Sequence, residues 1–399
     1  MVCRCRRGRW AGSRRMQAER PRVLFVATVD SHLEHFHLPT MGLLRDMGYD
    51  VEAAAGRSGF AARIESQGFS VTALPFSKQL LSPGNVVAGF RLVKIMRRRR
   101  YVLVHVHTPI AGFVARMAAH FAGVPHVIYT AHGFHFHPRG GRCSNALFSR
   151  LERFAARWTD VLITLNAEDF AAARSMMESA KTRIEYVPGV GVDTVRFHPP
   201  SDAERDHARK ALGVADATFV VGWIGEVVRG KRPGDALEVM RLLAGTEPGG
   251  RLLVAGEGQL EGMMREDIAR LGLSGSVKLM GWEGDIPRLL HGCDALMMTS
   301  EREGLPKCIM EAMACGLPVV AWDIRGCRDL IRQGENGFLV PFGDCGAMAV
   351  RLGELAANKA LRASMGAAGR ERVLAELGLD CILARMKDIY VRELARGTA

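Results

Sequence analysis

Short, almost unbroken apolar runs alternate with amphipathic segments along this chain, and they do so in two rounds. From residue 22 the runs RVLFVATV (22–29), VEAAA (51–55), VTALPF (71–76), YVLVHVH (101–107), HVIYTAH (126–132) and DVLITLN (160–166) are separated by helix-like stretches at about 37–48, 85–98, 110–122, 145–158 and 167–179. A strand that is apolar at consecutive positions is buried on both faces, and strands that alternate with helices pair in parallel. The spacing therefore predicts a parallel sheet covered by helices on both sides. At VPGVGVDTVRFHPP (187–200) proline and glycine crowd out any period, as in a linker. The alternation then resumes with TFVVGWIG (218–225), RLLVAGEG (251–258), VKLMGW (277–282), DALMMTS (294–300), PVVAWD (318–323) and GFLV (337–340).

The expected fold class is α/β, with two doubly wound Rossmann-like domains facing each other across a cleft. The expected boundaries are a disordered basic arm at 1–21, a first domain at 22–190, a second at 191–378, and a final helix at 379–399 packing back on the first domain. A chain of 399 residues exceeds what one hydrophobic core usually organises. In such sheets ligands sit at the carboxyl ends of the strands, near the point where strand order reverses. No apolar run is long enough to cross a membrane. The net charge of +12 is concentrated: residues 1–22 hold eight arginines and one glutamate, so +7 lies there and +5 is spread over the remainder. That opening lacks the apolar stretch of a signal peptide and reads as an arm, or as sequence upstream of a start at Met16. The body is only mildly basic, and no nucleic-acid partner is expected. The nine cysteines show no metal or disulfide spacing beyond a Cys-Arg-Cys near the start, which suits a reducing cytoplasm.

The segment SEREGLPKCIMEAMACGLPVVAWD (300–323) carries the most chemistry. Glu303 and Glu311 flank a Gly-Leu-Pro turn and the start of a helix, with Pro306 suited to the first helical position. Free N–H groups at a helix start favour phosphate. Carboxylates on both sides of such a turn suit a ligand with hydroxyls at each end of a diphosphate, as in a nucleotide sugar.

This stretch resembles the Glu-x7-Glu signature of retaining glycosyltransferases of family 4, which have the two-domain GT-B architecture, and the likeness runs over nearly the whole chain after residue 22. The resemblance implies that Glu303 contacts the transferred sugar, Glu311 holds the ribose, and Gly304 and Leu305 offer backbone N–H groups to the phosphate. It places Lys231, in GWIGEVVRGKRP (222–233), on the leaving diphosphate, with Gly225 in the same turn. Where the family usually has an arginine this chain has Glu226, so Arg229 or Arg232 is a candidate for the second cation. Gly256 and Gly258 resemble the turn bordering the nucleotide, and Trp282 is placed either beside the base or in the core.

The stretches TAHGFHFH (130–137) and ATVDSHLEHFHLP (27–39) resemble a subgroup of bacterial transferases that build capsule, exopolysaccharide and polyprenyl-diphosphate-linked glycans. The Gly-Gly pair usual near residue 30 is absent. His132, at a strand's carboxyl end, is expected to face the sugar, so the expected catalytic set is His132, Glu303 and Lys231. His35, His37, His105, His107, His135 and His137 all fall at or near the same carboxyl edge, and His37, His107 and His135 are expected on the acceptor side. Alternate residues of a strand share a face, so both members of a pair could face the cleft. The basic KIMRRRRY (94–101), beside the apolar VVAGFRLVKIM (86–96), reads as a solvated helix end or as a peripheral contact with anionic lipid.

The reading is a glycosyltransferase moving a hexose or acetamido-hexose from a nucleoside diphosphate, UDP by expectation, to a glycan or polyprenyl-linked acceptor. It would work in the cytoplasm, or peripherally at the inner face of the membrane. No cofactor and no metal are expected: no Asp-x-Asp pair occurs, and the His-x-His pairs lack an accompanying ligand at recognisable spacing. The alternatives are a metal-dependent hydrolase built on those pairs, and a non-catalytic nucleotide-sugar scaffold.

Overall fold

The computed structural model describes residues 20–137, 139–177, 181–244 and 250–397. The basic stretch at 1–19, with Met16, lies outside the described residues. The first sheet holds seven parallel strands: β1 (Arg22–Val29), β2 (Asp50–Gly56), β3 (Ser70–Ala73), β4 (Tyr101–His107), β5 (His126–Ala131), β6 (Val161–Thr164) and β7 (Arg183–Tyr186), in the order β3-β2-β1-β4-β5-β6-β7. The second holds six: β8 (Val220–Ile224), β9 (Arg251–Ala255), β10 (Val277–Gly281), β11 (Ala295–Met298), β12 (Val319–Trp322) and β13 (Gly337–Val340), in the order β10-β9-β8-β11-β12-β13. In each sheet the order reverses once, between β1 and β4 and between β8 and β11, so each has one switch point.

Side chains of successive strand residues alternate between the faces of the first sheet. Leu24 and Val26 enter a core with Val104, Tyr129 and Leu92, while Val23 and Phe25 enter another with Leu103, Ile128 and Leu44. Both faces are buried, which is why these strands read as unbroken apolar runs. The second face includes Ile382, Met386, Ile389 and Tyr390 of the last helix, Leu379–Leu394. That helix returns beside the linker, where Val192 donates to the Leu377 carbonyl (3.1 Å) and Leu379 donates to that of Val192 (2.9 Å). Polar ties secure it: the Tyr390 hydroxyl lies 2.7 Å from His105 Nδ1, and Glu393 pairs with His126 (3.2 Å) and Arg183 (3.1 Å). Truncating one such buried apolar side chain to alanine costs about 2–5 kcal/mol.

Three elements escape a reading of the sequence. Strand β7 is four residues of mixed polarity at a sheet edge, too short to show a period. Helices Asp30–Phe36 and Ala61–Ser66 are seven and six residues long. The first of these follows directly on β1, where the family's Gly-Gly turn is missing. Pro306 differs by one position from expectation: it is the N-cap of helix Lys307–Ala314, in extended conformation (φ −71°, ψ 114°), with its carbonyl accepting from Ile309 (3.2 Å). A proline is tolerated there because the N–H it lacks would have no helical partner.

Candidate functional site

The carboxyl ends of β8 and β11 form the centre of the second domain's site. The turn after β8 ends in a 3-10 segment, Arg229–Lys231, tied to the end of β11 by Thr299 Oγ1 donating to the Lys231 carbonyl (2.9 Å) and by Glu301 N–H donating to the Gly230 carbonyl (2.8 Å). Trp223 of β8 in turn donates its indole N–H to Thr299 Oγ1 (2.9 Å). This brace brings Lys231 Nζ within 2.5 Å of Glu303 Oε1. Burial opposes the Lys231 charge, yet the Glu303 carboxylate outweighs it and holds the ammonium pKa above its usual value. Lys231 is therefore a fixed cation at the switch point.

Glu311 lies on helix Lys307–Ala314 and is almost fully buried. Burial pushes its carboxyl pKa up, against the pull of Lys307, whose Nζ stands 3.5 Å away. Lys307 also donates to the His35 carbonyl of the first domain (3.1 Å) and lies over the Phe36 ring. That double engagement is invisible in the sequence.

The remaining donor-side expectations divide. Gly256 and Gly258 have a packing reason: a side-chain carbon on either would collide with the backbone of Gly225 or Val227, and Gly256 sits at φ 143°. Gly225 is part of that close approach, its N–H donating to the Ala255 carbonyl (3.0 Å). Arg232 is already engaged, by Asp235 (2.5 and 3.0 Å). Glu226 and Arg229 are exposed. Trp282 is not in the core: it is 52% exposed, and Arg63 of the first domain lies over its ring at 5.4 Å. Leu305 packs against cores of both domains. Gly304 is wedged so closely between the His132 carbonyl, Gly133 and Gly326 that no side chain fits, and its carbonyl accepts from Asn166 Nδ2 (2.9 Å).

That wedge joins the domains, and Arg325 secures it. Its guanidinium pairs with Asp169 (2.6 Å) and donates to the carbonyls of Phe134 (2.7 Å) and Phe136 (3.3 Å). The turn that carries His132 is thus held against the Glu303–Gly304 turn by a buried arginine. Sequence reasoning missed Arg325, Asp169 and Asn166 because Arg325 lies in a loop and the other two read as an ordinary helix cap, Asn166 capping the helix whose first turn holds Asp169.

The histidines form one cluster. His132 Nε2 is 3.1 Å from His37 Nε2, and the His37 ring stacks on His107 with centroids 3.6 Å apart. His32, which belongs to no pair, meets His132 edge-on at 4.4 Å. Ring nitrogens of His32, His37 and His132 all lie within 4.8 Å of one another, a spacing that could hold a metal ion. His107 departs from its acceptor-side expectation. It does share a face with His105, but its ring is closed in by those of His37 and Phe25: His107 is fully buried, and neither ring nitrogen has a hydrogen-bond partner among the described residues. His135 is half-buried, its ring 5.0 Å from that of Phe148.

Burial drives the pKa values of this cluster down, to about 4 for His32 and His135, about 3 for His105, and well below 6.5 for His37, His107 and His132. At neutral pH these rings are uncharged, so His132 is suited to hydrogen bonding and not to acting as a cation. In the unfolded chain they would titrate near 6.5. The unfolded state therefore binds more protons between pH 6.5 and about 4, and stability falls as pH is lowered through that window. The melting temperature is expected to drop steeply between pH 6.5 and 5; a flat profile would mean the cluster is open to water.

Three comparisons bear on this geometry. The second domain matches the family model "Glycosyl transferases group 1" over residues 204–372, and the first matches "Glycosyl transferase 4-like domain" over 40–189. The chain is 35% identical to "Putative glycosyltransferase EpsD" of Bacillus subtilis, over 92% of this chain and 96% of that one. It is 28% identical to "UDP-Gal:alpha-D-GlcNAc-diphosphoundecaprenol alpha-1,3-galactosyltransferase" of Escherichia coli, covering 75% and 78% respectively. In fold it is similar to Anabaena Alr3699/HepE solved with UDP-glucose, at a TM-score of 0.78 and 21% identity, over 93% of this chain and 99% of the other. The two family models together with the B. subtilis relative show that the chain belongs to the family 4 glycosyltransferases of GT-B fold.

Proposed function

We propose that this glycosyltransferase moves a hexose or acetamido-hexose from a UDP-sugar to a glycan carried on polyprenyl diphosphate, with retained anomeric configuration, in the synthesis of a surface polysaccharide. The observation that carries the reading is the Lys231–Glu303 pair, set at the second domain's switch point and facing the His132–Gly133 turn of the first. In the free protein each group neutralises the other. On donor binding Lys231 would pass to the diphosphate and Glu303 to the sugar hydroxyls, so the same charges serve both states. The developing negative charge on the leaving group is then met by a fixed cation and the helix start at Lys307. Neutral His132 would hydrogen-bond the sugar or acceptor hydroxyl. Gly304 and Leu305 would approach the phosphate through their backbone, Trp282 would border the base, and His135 would face the acceptor, while His37, buried against His107, would hold the His132 ring in place. The names of the B. subtilis and E. coli relatives support the lipid-linked, polysaccharide setting.

We also propose peripheral attachment at the cytoplasmic face. Arg97, Arg98, Arg99 and Arg100 end helix Pro83–Arg99 and are exposed, positioned to attract anionic lipid. No described helix is long and apolar enough to cross a membrane.

The test is incubation with UDP-galactose, UDP-glucose or UDP-acetamido-sugars and a polyprenyl-diphosphate acetamido-sugar, followed by mass spectrometry and NMR of the new anomeric centre. UDP binding without transfer to any acceptor would favour the scaffold reading. Transfer is expected to survive dialysis against EDTA, because Lys231 and the helix start supply the positive charge. Loss of transfer restored by a single transition metal would instead show that transfer depends on an ion, with His32, His37 and His132 the candidate ligands.

A further inference from the structure

Away from the cleft, helices Pro83–Arg99, Pro109–Ala122 and Arg142–Ala155 enclose a cavity of about 770 Å³. Its walls are almost wholly hydrocarbon, and its rim shows large apolar side chains to water: Leu81 is 93% exposed, Phe90 75% and Phe121 58%. Surface patches of this kind mark ligand grooves or interaction sites. Two of its polar residues are already engaged. Asn85 accepts from Ser77 N–H (2.9 Å) and donates to the Gln79 carbonyl (2.8 Å), while Glu152 pairs with Arg116 (2.8 Å) and accepts from the Tyr129 hydroxyl (3.2 Å). A polar ligand would find little to bond there. An apolar chain would lose nothing.

We infer that this groove holds the isoprenoid chain of the lipid-linked acceptor, an assignment that rests on the transferase reading above. Two further observations select that occupant over a protein partner. One end of the groove lies near the strand ends that carry the histidines: Phe148, which lines it, lies 5.0 Å ring to ring from His135, and Pro109, also in its wall, starts its helix with one residue between it and the end of β4 at His107. An acceptor glycan near His135 would therefore carry its lipid toward the groove. The second is charge. Residues 66–151 contain eleven lysines and arginines and not one aspartate or glutamate. Apart from Arg116, which is buried, these cations are exposed, among them Lys78, Arg91, Lys94, Arg142 and Arg150. Hydrocarbon walls on helices whose exposed charges are all cations match a long apolar chain that ends in a diphosphate and emerges from an anionic surface. The volume lies within the roughly 300–1,000 Å³ of small-molecule sites, and a concave slot suits a single chain better than a flat bilayer face.

The test uses the full chain in vesicle flotation, with phosphatidylcholine vesicles with and without undecaprenyl diphosphate, and phosphatidylglycerol vesicles as a third arm. Undecaprenyl diphosphate is expected to raise retention of the wild type. The triple variant Leu81→Ser/Phe90→Ser/Phe121→Ser should lower it about tenfold, as expected for losing part of the apolar area of three side chains. These side chains are exposed, so the variant should fold and bind UDP like the wild type, which calorimetry checks. Retention that follows phosphatidylglycerol alone, or a triple variant that still responds fully to undecaprenyl diphosphate, would overturn the groove assignment. So would a purified protein that covers the patch by dimerising and ignores the lipid. Failure of the wild type to bind UDP would sink the UDP-donor reading separately, and the flotation arms would still report on the groove.

Discussion

Lys231→Ala is expected to lower turnover about 10²–10³-fold while weakening UDP-sugar binding much less, the size of effect seen when one preorganised charge-stabilising donor is removed from an active site. The reason is the balance of charges around Nζ. In the free protein the ammonium is already paired with Glu303 at 2.5 Å, so binding a diphosphate exchanges one anionic partner for another and yields little net affinity. As the glycosidic bond breaks, negative charge on the diphosphate grows, and only then does the cation interact more strongly than in the ground state. The substitution also leaves Glu303 without its partner in a mostly buried setting. Steady-state kinetics set beside calorimetry with the donor would check this. Equal losses in rate and affinity would reduce Lys231 to a ground-state contact, and no loss in either would remove it from the site.

Glu311→Ala should weaken binding of UDP and UDP-sugars by about tenfold to a hundredfold, the scale of one hydrogen bond to a charged acceptor at about 1.5–3 kcal/mol. The carboxylate is buried on a short helix and its pKa is pushed up by that burial, so two sugar hydroxyls donating to it would favour the ionised form again. The fold should tolerate the change. The partner left behind, Lys307, is about one-third exposed and keeps its bond to the His35 carbonyl, so no charge is stranded in the interior. Inorganic diphosphate, which has no ribose, should bind the variant and the wild type alike. Unchanged UDP affinity by calorimetry would rule out the ribose role; an equal loss for inorganic diphosphate would move Glu311 to the phosphate instead.

The paired histidines show how far local spacing reaches. His105 and His107 do lie on one face of β4, as alternation along a strand requires. Which face meets the cleft depends on what covers the sheet, and the covering element here is a helix some 280 residues further along, whose Tyr390 reaches His105. His32 carried no signal at all, being unpaired in sequence and on a seven-residue helix, yet it closes the cluster with His37 and His132. Trp282 was open between core and site because a tryptophan after a strand suits both; its exposure beneath Arg63 follows from how the first domain faces the second.

From the sequence alone came the two rounds of parallel α/β alternation, the linker between them, and the Glu303–Glu311 spacing around a helix start. These are local properties: hydrophobic period, turn residues and a motif a few residues long act through neighbours in the chain. The Arg325–Asp169 clamp, the Lys307 bridge, the histidine cluster and the apolar groove between helices of the first domain were decided by tertiary structure. Each joins residues far apart in the chain, where single polar or aromatic side chains have no period to betray them. Burial settled their state as well: an imidazole or a carboxyl titrates by what surrounds it, and the surroundings exist only once the two domains and the returning helix have closed around it.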